Sequence, residues 1–259
     1  MTTLENVLIY YNQLPKNDTK RDILSKLLPH VKSIGSMTIY DVADLCFTST
    51  ASISRLVKSL GYKSYSEFQI RLNDCVQRYD YDNRFLLVSR SKKQEPADMI
   101  TNTMRYMVDE FQRNIDLPSL ERLIDSMHAA SRVVLFAYGI RFMENALQAN
   151  IIMSGIPCDI VLSDRMQVEF AQYMQKGELA LFLCPDAVDS IHPFSTVIQT
   201  VASHGAKIAI LSSSDQQPFL SYADYIYSFN GNHSMADSFE LQMQVALIDM
   251  MYRAKYVDQ

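Results

Sequence analysis

Two groups of side chains in this 259-residue chain have types and spacings that could do chemistry. The first is Ser49, Thr50, Ser52, Arg55 and Lys58, with Lys63, Ser64 and Tyr65 just beyond. Small hydroxyls near the start of a helix let it lie close in a DNA major groove, where they reach base edges or phosphates. Arginine reads guanine bidentately or holds a phosphate, and lysine neutralises phosphate. The second group sits where apolar runs end in loops: Gly139 and Arg141, then Cys184, Asp186 and Asp189, then Ser212, Ser213 and Ser214. Serines in such a loop can cradle an anion, whereas two carboxylates repel one.

These residues need elements to position them. Residues 1–78 are expected to be helical throughout. Leu4, Val7, Leu8, Tyr11 and then Leu24, Leu27, Leu28, Val31 repeat at helical spacing. Thr38 with Asp41, and Ser64 with Glu67, have the spacing of capping boxes. A short helix at 38–45, a turn at 46–48 and a helix at 49–60 have the arithmetic of a helix-turn-helix. Ile53, Leu56, Val57 and Leu60 would face inward, with Thr50, Ser52, Arg55, Lys58 and Ser59 outward, and Gly61 would stop the helix. The alternative is a solvated helix in an ordinary bundle. Residues 79–96 lose the period and are expected to be a linker. Helical stretches follow near 97–114 and 118–130.

From residue 132 short apolar runs alternate with amphipathic stretches: RVVLFAY, PCDIVLS, LALFLCP, KIAILSS and YIYSF. Continuous apolar strands separated by helices imply a parallel sheet covered on both faces. Ligands of such sheets bind at the strand ends, where the second group lies. A last helix is expected with Phe239, Met243, Ala246, Leu247 and Met250 on one side. The expected fold class is α/β, with an all-helical domain at 1–78 and a parallel-sheet sandwich of about five strands within 97–259.

Composition narrows the function classes. Residues 1–78 carry 10 Lys+Arg against 7 Asp+Glu and the remainder 14 against 22, so a balance of +3 sits on one of −8. That asymmetry suggests two domains with different partners. The apolar runs are too short for a membrane helix. The N-terminus lacks a basic region of secretory type, and the four cysteines are scattered, as expected of reduced thiols in a cytoplasmic protein. The five histidines show no metal-ligand spacing, and there is no nucleophile elbow or Walker loop. No metal, no cofactor and no catalysis are expected. His192, Glu169 and Glu240 are the residues that could serve as the base of an isomerase.

The run TIYDVADLCFTSTASISRLVKSLGYKSYSEFQIRL (38–72) resembles the helix-turn-helix domain of RpiR-family bacterial transcription regulators. The likeness is carried by Ala43, Ser49, Ser54-Arg55, Leu60-Gly61 and the tail Lys63-Ser64-Tyr65-Ser66-Glu67-Phe68. Phe47 departs from it, standing where the family commonly has a turn glycine. A turn there must avoid positive φ or accept its strain. The resemblance implies a C-terminal sugar isomerase (SIS) domain that senses phosphosugars. It also implies double-stranded operator DNA as partner and a homodimer or homotetramer, since one short recognition helix rarely binds tightly enough alone. An effector at the strand ends would shift the packing of sensor domains and so the spacing of the DNA-binding heads.

The phosphate loops of that family are altered here. Ala137 stands for a glycine, Arg141 is near an expected serine, and Cys184-Pro185-Asp186-Ala187-Val188-Asp189 replaces a run like S-x-S-G-x-T. Pro185 also removes an amide donor. Asp186 and Asp189 can be solvated loop acids, caps for the next helix, or a changed site for a cationic or polyhydroxylated ligand. Ser212, Ser213 and Ser214 are the best remaining anion cradle. A sugar-phosphate isomerase, or a regulator whose SIS-like domain serves only assembly, are the alternatives.

Overall fold

The computed structural model describes residues 3–82, 96–137, 142–162, 164–184, 194–213, 218–229 and 237–258. The chain divides into two compact units, residues 1–81 and 82–259.

The first unit contains α1 (Thr3–Gln13), α2 (Thr19–Leu27), α3 (Ile39–Leu45), α4 (Thr50–Ser59) and α5 (Tyr65–Asp82). Their apolar stripes converge on one core of Val7, Ile23, Leu24, Leu27, Ile34, Val42, Ile53, Leu56, Val57, Phe68 and Leu72. The second stripe ends earlier than its spacing suggests. Pro29 cannot continue the hydrogen-bond ladder, and the chain tightens into a 3-10 turn at Leu28–His30. Conversely, α5 runs to Asp82, into the segment expected to be linker.

The helix ends are closed by local chemistry. Thr38 caps α3 in a full capping box, with Asp41 accepting from the Thr38 amide at 2.7 Å. Those bonds hold the Asp41 carboxyl below the usual carboxylate range. Ser49 caps α4 by accepting from the Ser52 amide at 3.2 Å. At α5 only half of the expected box forms. Ser64 Oγ accepts from the Glu67 amide, but the Glu67 carboxylate reaches one residue further, to the Lys63 amide at 2.8 Å.

Both helices of the helix-turn-helix end in Schellman turns. After α4, the Gly61 amide bonds Lys58 O, the Tyr62 amide bonds Val57 O, and Gly61 has φ 96°. After α3, the Phe47 amide bonds Asp44 O and the Thr48 amide bonds Ala43 O. Phe47 adopts φ 51° there, the one non-glycine residue with positive φ among the described residues. The turn therefore keeps its glycine geometry without the glycine.

The second unit contains α6 (Pro96–Asn114), α7 (Leu117–His128), β1 (Val133–Phe136), α8 (Phe142–Met153), β2 (Cys158–Val161), α9 (Asp164–Tyr173), β3 (Leu179–Cys184), α10 (Phe194–Ser203), β4 (Lys207–Ser212), β5 (Tyr225–Ser228) and α11 (Asp237–Tyr256). The five strands form one parallel sheet in the order β2-β1-β3-β4-β5. β1 and β3 are buried along their whole length, which is why they read as unbroken apolar runs. β5, at the edge, alternates half-buried and exposed residues.

The face of α11 differs from expectation. Leu241, Val245, Ile248 and Tyr252 enter the core, while Phe239 is 48% and Met250 68% exposed. The helix is apolar on both sides, so spacing alone does not select the inward stripe.

Candidate nucleic-acid interface and effector site

The outward face of α4 is built around Arg55. Ala51, Arg55 and Lys58 are exposed at i, i+4 and i+7, one continuous stripe. Ser52, partly exposed, bonds the Ser49 hydroxyl at 3.0 Å and accepts from Arg55 Nη2 at 3.1 Å. The guanidinium is thus steered toward the N-terminal end of the helix, the end that contacts bases in helix-turn-helix proteins. Ser49, Lys63 and Ser64 are exposed, and Thr50 is half-buried. Tyr65 is also half-buried. Its hydroxyl donates to Met37 O at 2.9 Å, and burial pushes its pKa up to about 12. That phenol anchors α5 to the entry of α3 and is not a free donor.

Two participants escaped sequence reasoning. Ala51 offers a methyl on the exposed stripe, which no polar pattern would single out. Lys20, from α2, donates to Ser59 Oγ at 2.9 Å and to the Tyr10 hydroxyl at 3.2 Å. Ser59 also donates to Arg55 O, so it is tied to its own helix instead of open to solvent contacts.

In the second unit the strand ends converge on a topological switch point. The chain leaves β1 toward β2 on one side, and β3 lies on the other, so a crevice opens between β1 and β3. Gly139, Arg141, Asp186, Asp189 and Ser214 lie outside the described residues, as does His192. Cys184 and Ser212 are register partners at the ends of β3 and β4, and both are buried. The Ser213 amide bonds Cys184 O at 3.2 Å, whereas its buried hydroxyl has no hydrogen-bond partner among the described residues.

Gln167 is a further member of this end that the sequence did not reveal. It is fully buried on α9, and its amide nitrogen bonds Ala137 O at 3.0 Å and Val161 O at 3.2 Å. Its carbonyl oxygen has no hydrogen-bond partner among the described residues. Glu144 on α8 is 1% exposed, with Oε1 accepting from Gln242 of α11 at 2.8 Å. Of the possible bases, Glu169 is exposed. Glu240 is buried, and burial followed by the nearby Asp237 and Glu110 charges raises its pKa to about 7. It lines a cavity of about 210 Å³ with Asn114, Ser119, Tyr227 and Gln244. Among the described residues no cluster of His, Cys, Asp or Glu could hold a metal ion.

The helix-turn-helix and the parallel sheet each have counterparts among known proteins. The model of the "Helix-turn-helix domain, rpiR family" matches residues 1–78. The first unit is thus similar to the helix-turn-helix domains of that family. An uncharacterized HTH-type transcriptional regulator of Haemophilus influenzae is 21% identical over 253 residues, covering 93% of this chain and 85% of that protein. The HTH-type transcriptional regulator RpiR of Escherichia coli K12 is 21% identical over 192 residues, covering 73% and 63%. Among solved structures, Vibrio vulnificus NanR in complex with ManNAc-6P superposes with a TM-score of 0.50 at 16% identity, covering 98% of this chain and 93% of that one. The sugar isomerase domain of an RpiR transcription factor from Sphaerobacter thermophilus gives a TM-score of 0.52 at 15% identity, covering 63% and 92%.

The stripe on α4 lies within the residues that match the helix-turn-helix model, and the five-stranded parallel sheet has the fold of the solved sugar isomerase domain. No helix of the described residues is long and apolar enough to cross a membrane.

Proposed function

We propose that this chain is a DNA-binding transcriptional regulator of carbohydrate-metabolism genes, with α4 as the groove-reading helix. The observation that carries this reading is the Ala51-Arg55-Lys58 stripe, exposed on a helix-turn-helix closed by Schellman turns, in a domain of the rpiR family. Arg55 would contact a base edge or a phosphate, with Ser49, Thr50 and Ser52 close to the DNA and Lys58, Lys63 and Ser64 on phosphates. The protein would act as a homodimer or homotetramer, because paired heads read paired half-sites. The exposed apolar residues Phe239 and Met250 on α11 and Tyr106 on α6 support an assembly surface.

Its effector would be a sugar phosphate or a related carbohydrate, bound at the ends of β1, β3 and β4. NanR carries ManNAc-6P on this fold. Here Ser212, Ser213 and Ser214 would replace part of the missing phosphate loop, with Arg141 beside the site. The role is sensing, not turnover, since the sequence offers no ordinary anchor that would hold a sugar phosphate against a base.

The test is Arg55→Ala in the full chain, titrated against a duplex that the wild-type protein enriches from a random library. A loss of roughly 1–3 kcal/mol in binding is expected. Wild-type affinity for that variant would remove α4 as the reading helix.

A further inference from the structure

Phe47 combines three properties that make no sense for the head alone. Its ring is 86% exposed, so it contributes almost nothing to the core. Its backbone sits at φ 51°, a conformation in which a β-carbon is strained and glycine is not. It closes the turn two residues ahead of Ser49, the cap of α4. A residue that adds strain without adding burial calls for another use.

We propose that Phe47 is a specificity-determining DNA contact whose ring packs on the C5-methyl group of a thymine at the edge of the site read by α4. This rests on the DNA-binding reading above. The Schellman turn fixes the main chain at Phe47 by hydrogen bonds from the Phe47 and Thr48 amides, so the direction in which the side chain leaves the turn is set before DNA arrives. Lys26 stands 5.6 Å from the ring centroid and braces it on the α2 side. Asp44, exposed one turn earlier, would repel a phosphate there. Because the Lys26 ammonium is itself paired with Asp22 at 2.7 Å, the turn has no net positive charge to hold a phosphate, which favours an uncharged base edge as the partner. In the major groove the thymine methyl is the apolar feature of a base pair, and phenylalanine is one of the side chains that meet it.

The turn makes the test clean, because Phe47→Gly restores the residue the geometry favours and the variant will fold. The full-length protein and the variant are titrated against the duplex enriched by wild type, and against duplexes in which thymines are replaced one at a time by uracil. Wild type should lose about fourfold in affinity at one thymine, the worth of one buried methyl. Phe47→Gly should lose a similar factor on the thymine duplex, become indifferent to uracil at that position, and melt at or above the wild-type temperature. Equal or tighter binding by Phe47→Gly would overturn the proposal and leave the ring to a protein partner. So would wild-type indifference to every uracil. If wild type enriches no duplex at all, the DNA-binding reading falls with it.

Discussion

Glu240 shows how a single buried carboxyl ties stability to pH. It is 7% exposed, and burial together with Asp237 and Glu110 lifts its pKa from 4.5 to about 7. A group with a raised folded pKa binds its proton more tightly when folded. Its contribution is therefore complete below about pH 4.5 and is lost as pH rises through about 7. The C-terminal unit should lose up to about 3 kcal/mol of stability across that window. Glu240→Gln should flatten this slope and stabilise the unit above neutrality. Urea denaturation at about pH 5 and about pH 8 measures it, and an unchanged slope in the variant would show that Glu240 is not responsible. Phe47 shows the other use of an awkward residue. Its left-handed backbone carries a strain of order 1–2 kcal/mol that nothing in the core offsets.

The elements of the head depend on their ends more than on helix propensity, because α3 is only seven residues long. Thr38 and Asp41 together satisfy amides that would otherwise lack partners. Thr38→Ala should cost about 1 kcal/mol in denaturation of the head. Gly61 ends α4 at φ 96°, and Gly61→Ala should cost roughly 1–2 kcal/mol. Calorimetry of each variant checks both values. A loss at Gly61 no larger than that of an ordinary surface change would mean the turn relaxes. On the other unit, Arg132 holds Glu178 through Nε at 2.9 Å, joining the start of β1 to the start of β3. That pair lies at the opposite end of the sheet from the candidate effector site, so removing it would leave the strand ends beyond Cys184 and Ser212 untouched.

At the scale of the whole molecule, the chain has two units, each with its own core, and the proposed function gives DNA to the first and a sugar phosphate to the second. The effector question is answered by thermal shift of the full chain against a panel of sugar phosphates. A saturable rise in Tm with one of them is expected, since a ligand that binds only the folded state stabilises it by mass action. Ser213→Ala should reduce that rise while leaving the ligand-free Tm within a few degrees, because the hydroxyl has no partner among the described residues to lose. A panel with no stabilising sugar phosphate would leave the domain to assembly alone.

Much of this architecture was legible in the order of residues. Unbroken apolar runs at β1 and β3 meant strands buried on both faces, and Thr38, Ser49 and Gly61 marked helix ends because capping is a contact between residues a few positions apart. The tail after α4 carried the family signature for the same local reason. Where packing chooses between equivalent local options, the sequence was silent. It did not say which side of α11 turns inward, that α2 would give way at Leu28, or that Tyr65 would spend its hydroxyl on Met37. It did not place Gln167 under the ends of β1 and β2, or Lys20 against Ser59. Those contacts join residues far apart in the chain, and only closure of the core brings them within hydrogen-bond reach. Sequence alone determined the order and type of the elements, because apolar spacing and capping are local. The tertiary structure decided which faces are exposed, and so which side chains of α4 reach solvent, because burial is set by packing between elements.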